Sequence, residues 1–142
     1  MANNLLQRLA SIFRSPEQTP LRQPEREALL DLLVWTMFVD RHITVQEHNA
    51  LLREAGALPW ESLVSVANYI DGATGRARDV LGREDAEENY LADITSRLAE
   101  PAARAQAIEA CERIVQADGE VAEQEAAHLA RVRKAFGIKS SH

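Results

Sequence analysis

A single cysteine, Cys111, leaves the chain without any internal disulfide, so packing alone must hold its fold. Long apolar runs are missing as well: Leu32, Leu33, Val34 and Trp35 are followed too soon by Asp40, Arg41 and His42 to build the roughly 20-residue span that a membrane helix needs. Met1 to Asn4 bring neither the basic segment nor the apolar core of a secretory signal, and the expected location is the cytoplasm. Positive charge is in deficit, with 16 basic residues against 22 acids and a formal charge of −6. Residues 60–142 hold fifteen of the acids and ten of the bases, so the excess lies in the second half. Polyanion binding depends on Lys and Arg displacing counterions, and this balance argues against nucleic acid as a partner. An acidic surface suits cations or a basic partner instead.

Apolar residues make up 46% of the 142, a proportion that supports one folded domain able to bury roughly 70% of its unfolded surface. Strand-like alternation is absent throughout, and the apolar residues recur at helical spacing. In residues 1–14, Leu5, Leu6, Leu9, Ile12 and Phe13 form one stripe, which predicts a short amphipathic helix. Residues 15–24 carry three prolines and read as a linker, and the globular domain is expected over 25–142.

Within that domain the stretch from Glu25 to Val39 is apolar on nearly every side, the pattern of a helix surrounded by others. Thr44 and Glu47 form a capping box, and a helix is expected from there to about Gly56. A further helix is expected over Trp60–Ile70, broken by Gly72 and Gly75, with a short helix around Arg76–Leu81. Others are expected over 84–99, from Pro101 to Ala117, and up to Phe136 before Gly137. The fold class is all-α, a compact bundle of about six to seven helices.

Two helix–loop–helix units repeat at a shift of 78 positions. Leu30, Leu33 and Met37 fall on Ile108, Cys111 and Val115, and beyond them Asp40, Ile43, Glu47 and Leu51 fall on Asp118, Val121, Glu125 and Leu129. The aliphatic residue would pin each loop to a shared core, the Asp would accept loop amides, and the Glu would close the next helix start.

The run Ile114-Val115-Gln116-Ala117-Asp118-Gly119-Glu120-Val121-Ala122-Glu123-Gln124-Glu125, set between an apolar helix and Leu129, Val132 and Phe136-Gly137-Ile138, resembles the TerB-like family of tellurite-resistance proteins. The first copy departs from the family pattern, with Arg41 and His42 in place of Gly and Glu. The resemblance implies a compact helical bundle in bacterial tellurite resistance and stress response, acting in membrane-linked complexes, with acidic positions associated with a divalent metal. It carries that role to Asp118, Glu120 and Glu125, and more weakly to Asp40 and Glu47.

Read from the residues alone, Asp118, Glu120, Glu123 and Glu125 offer oxygens suited to Ca²⁺ or Mg²⁺, but not at EF-hand spacing. Capping and solvation explain the same acids, and the sequence favours that reading. Ala122 stands where Thr44 caps the first copy, which would leave Glu125 freer to face a ligand. Cys111 is expected in the core, in register with Leu33. His42, His48, His128 and His142 lack metal-site spacing and are expected at the surface, and Arg131 to Lys134 are expected as a solvated helix end.

The function expected is that of a non-enzymatic interaction module with a protein partner, no certain cofactor and a divalent cation as candidate. Residues 4–13 are its candidate contact with a membrane surface or a partner, and packing of this stripe back onto the domain is an equal alternative. The alternatives are a metal-dependent hydrolase built on the acidic loop, for which the sequence supplies no general base, and a purely structural or oligomerising bundle.

Overall fold

The computed structural model describes residues 21–39, 49, 51, 52, 55, 60–115 and 123–138. Among these, five long helices follow one another: α1 (Gln23–Phe38), α2 (Val66–Val80), α3 (Glu84–Arg97), α4 (Pro101–Val115) and α5 (Glu123–Phe136). There is no strand among the described residues. The N-terminal stripe of residues 4–13 and the Thr44–Glu47 capping box lie outside them.

The all-round apolar pattern of the first long helix has the expected result. From Ala28 to Phe38 every residue of α1 is buried, and α2, α3 and α4 all pack against it. Its start is set locally. Pro24 stands in the first turn, where a missing N–H is harmless, and Glu25 reaches back so that the Arg22 backbone N–H donates to its carboxylate at 2.9 Å. The segment before α2 is fastened to this end of α1: Arg26 donates to Glu61 at 2.8 Å, and the Glu61 backbone N–H donates to the Gln23 side chain at 2.8 Å.

The expected helix over Trp60–Ile70 and its break at Gly72 to Gly75 are not what forms. Residues 61–65 are a bent segment, Ser65 caps α2 by accepting the Asn68 N–H at 3.1 Å, and α2 then runs through both glycines to Val80. Ile70, Ala73, Ala77 and Val80 make one buried stripe across the supposed break. Two glycines cost about 1 kcal/mol each in a helix interior, less than burial of such a stripe returns.

α2 and α3 are joined by a tight turn at Gly82, whose φ of 81° is readily taken only without a side chain. The acids of the first turn of α3 include Glu87, which folds back to accept the Gly82 N–H at 3.0 Å. The far end of α3 is closed by Arg104 of α4, which donates to the carbonyls of Leu98 at 2.6 Å and Thr95 at 3.2 Å. α5 ends as expected at Gly137, with φ 74° and the Ile138 N–H returned to the Arg133 carbonyl at 2.9 Å.

The upstream halves of the pseudo-repeat play equivalent parts. Leu30, Leu33 and Met37 on α1 and Ile108, Cys111 and Val115 on α4 are all buried in one core, as are Leu51 and Leu129.

Candidate functional site

Of the acidic positions singled out in the sequence, Asp40, Glu47, Asp118 and Glu120 lie outside the described residues. Glu125 is described: it sits half-buried in the first turn of α5 and already takes part in an interaction. Among the described residues no three His, Cys, Asp or Glu side chains gather closely enough to hold a metal ion.

The structure instead brings together two polar constellations on opposite stretches of α1, and the sequence reading had singled out neither. The first is centred on Asp31, which is only 1% exposed. Its Oδ1 accepts from Arg76 Nη2 at 2.7 Å, and its Oδ2 accepts from the Tyr69 hydroxyl and from Arg97 Nη2, both at 2.7 Å. Arg97 also pairs with Asp93 one turn earlier on α3, at 2.9 Å, and Arg76 lies over the Tyr69 ring. Burial pushes the Tyr69 hydroxyl well above the ordinary tyrosine range, and the neighbouring Asp31 carboxylate adds to it. Tyr90, close by on α3, is shifted up for the same leading reason. Both phenols keep their protons at neutral pH, and both carboxylate oxygens of Asp31 are occupied. Three helices are thereby tied at one point.

The second constellation lies one to two turns further along α1. Thr36 Oγ1 donates back to the Leu32 carbonyl at 2.8 Å and lies 3.3 Å from the Cys111 sulfur and 3.0 Å from His128 Nε2. The Leu32 carbonyl, the Cys111 sulfur and the His128 ring thus share one hydroxyl, which has a single proton to give. His128 was expected at the surface; it is instead buried, its ring edge-on to Trp35 at 4.7 Å. The physical reason is its place on α5, one residue before Leu129 and four before Val132, on the face that meets the core. Burial lowers its pKa to about 4, with the nearby Arg131 acting in the same direction and Glu87 opposing.

Cys111 is fully buried, as expected, and burial pushes its thiol up to about 12, against the pull of the Thr36 contact. A thiol that stays protonated is a poor nucleophile, and an imidazole that titrates near 4 is a poor base at neutral pH.

The stretch from Arg131 to Lys134 is not simply a solvated helix end. Val132 is buried, Arg131 pairs with Glu87 on α3 at 2.9 Å, and Arg133 pairs with Glu112 on α4. Among the described residues no helix is long and apolar enough to cross a membrane.

What this defines is an all-helical domain in which the buried chemistry-bearing side chains join one helix to the next. The chain belongs to the family described as tellurite resistance protein TerB, whose sequence model matches residues 26–142, almost the whole of the helical part. Comparison with the curated proteins and with the solved structures gives no match.

Proposed function

We propose that the chain is a non-catalytic interaction domain of tellurite resistance and stress response, which engages a protein partner and takes up Ca²⁺ or Mg²⁺ through Asp118, Glu120 and Glu125, with Asp40 and Glu47 as the weaker copy. The observation that carries the non-catalytic part is the state of the buried groups. Asp31 is saturated by three donors, the Cys111 thiol is pushed up to about 12, and His128 is pushed down to about 4. Catalytic groups are expected to be poised near the working pH and open to a substrate.

An interaction role is supported by the segment before α2. Leu63 is fully exposed and Val64 about half so, while the segment itself is held in place by the Trp60 indole N–H donating to the Val64 carbonyl at 2.7 Å and by the links of Glu61 to α1. Apolar side chains held out on a fixed support suit a protein contact. The cation part rests on family membership and on the oxygen-rich spacing of the acids, since hard cations bind through carboxylates, carbonyls and water. Calorimetric titration of the metal-free chain with Ca²⁺ and Mg²⁺ tests it. Saturable uptake that an Asp118→Asn, Glu120→Gln variant loses is the expected result; no uptake up to millimolar ion removes the cation from the proposal.

A further inference from the structure

α5 is anchored by few side chains. Along its length only His128, Leu129, Val132 and Phe136 are buried, whereas α1 is buried without interruption from Ala28 to Phe38. Helix packing joins α5 to α3 and α4, and α1 meets it at His128, through Thr36 and the edge of Trp35. The tie at Asp31 holds α1, α2 and α3 together and does not pass through α5, and α4 packs on α1 directly. One of the four side chains that seat the last helix is therefore a titratable ring.

The surroundings of that ring suit only its neutral form. From α1 it meets Thr36 and Trp35, with the Cys111 thiol of α4 on the far side of the Thr36 hydroxyl. Glu87 of α3 is the nearby acid, and both its oxygens are taken, one by Arg131 at 2.9 Å and the other by the Gly82 N–H at 3.0 Å. Glu112 of α4 is taken by Arg133. On α5 itself Arg131 stands three residues on, a like charge to an imidazolium. Among the described residues no carboxylate is in hydrogen-bond contact with His128, so a proton on the ring would be buried without a counter-charge, a cost that lifting the ring into water removes.

We infer that α5 is an acid-released latch: protonation of His128 lifts this helix off α1, α3 and α4 while the other helices stay packed, and uncovers the core face under Leu129, Val132 and Phe136. Local openings of single elements are a regular property of folded domains, and histidine protonation is a common trigger. The ring binds its proton near pH 4 when seated and at 6.5 when free, so the opening takes up one proton and its constant rises about tenfold per pH unit across that window.

Hydrogen exchange of the full chain, read helix by helix from pH 7 to 4.5 and corrected for intrinsic rates, tests the latch. The opening constant at α5 amides is expected to exceed that at α1 amides by at least about tenfold, and to rise about tenfold for each pH unit below 6.5. His128→Gln is expected to flatten the rise at α5. Glu87→Gln, which keeps an acceptor for the Gly82 N–H, is expected to retain it. Equal opening constants at α5 and α1 would mean that the helix leaves only with global unfolding, and overturn the inference. A rise that persists in His128→Gln, or that vanishes in Glu87→Gln, would place the trigger on another group and overturn it as well.

Discussion

His128 sits edge-on to Trp35 with its Nε2 against Thr36, and a proton added to its ring would be buried beside Arg131. The folded domain therefore binds that proton only near pH 4, whereas the unfolded chain binds it at the ordinary imidazole value of 6.5. Stability from this residue is complete above about pH 7 and falls as the pH drops from 6.5 toward 4, by up to about 3 kcal/mol at 1.36 kcal/mol per pKa unit. Urea midpoints taken across that window are expected to decline in the native chain and to decline less in His128→Gln. Equal slopes would show that other groups govern the acid limb. Its lack of metal-site spacing spoke for the surface, whereas its place four residues before Val132 and eight before Phe136 already puts it on the core-facing side of α5.

At the scale of elements, periodicity made α1, α3, α4 and α5 legible to within a few residues among those described, because each buries a stripe that recurs at helical spacing. α2 was misjudged because Gly72 and Gly75 were read as local breakers, when the stripe of Ile70, Ala73, Ala77 and Val80 that overrides them is rewarded only in contact with α1. The two glycines also differ in a way that substitution can expose. A methyl group at Gly75 meets nothing within 4 Å, whereas one at Gly72 comes to 3.2 Å from Arg76 Nη1, on the arm that holds Asp31. Gly75→Ala is expected to stabilise by about 0.5–1 kcal/mol, seen as a rise of a few degrees in thermal midpoint. Gly72→Ala is expected to gain less or to lose, because the Arg76 arm must shift. A larger gain at Gly72 than at Gly75 would contradict this account of the helix.

Over the whole molecule, the polar ties among the described residues, which supplement the apolar core, are remote in sequence. Asp31 on α1 meets Tyr69 and Arg76 on α2 and Arg97 on α3, while α5 is joined to α3 by Arg131 and Glu87, to α4 by Arg133 and Glu112, and to α1 by His128 and Thr36. Such pairs are separated by up to 92 residues, and a charged residue within an apolar helix does not name its partners, so this layer was not legible in the sequence. Removing one partner leaves a buried charge under-compensated. Arg97→Met is accordingly expected to cost about 3 kcal/mol in urea unfolding, and more than Arg76→Met, because the Arg76 side chain is the more exposed. Near-zero cost at Arg97 would mean that the network is incidental to the fold.

The claim that joins these scales is that the domain contributes to tellurite resistance by binding, with its buried cysteine and histidine serving the fold and no reaction. Survival on tellurite of cells that depend on this chain, measured together with the amount of folded protein, tests it most directly. A Cys111→Ala, His128→Gln variant is expected to protect in proportion to its folded amount. Loss of protection with the folded amount unchanged would place chemistry at those side chains and contradict the account.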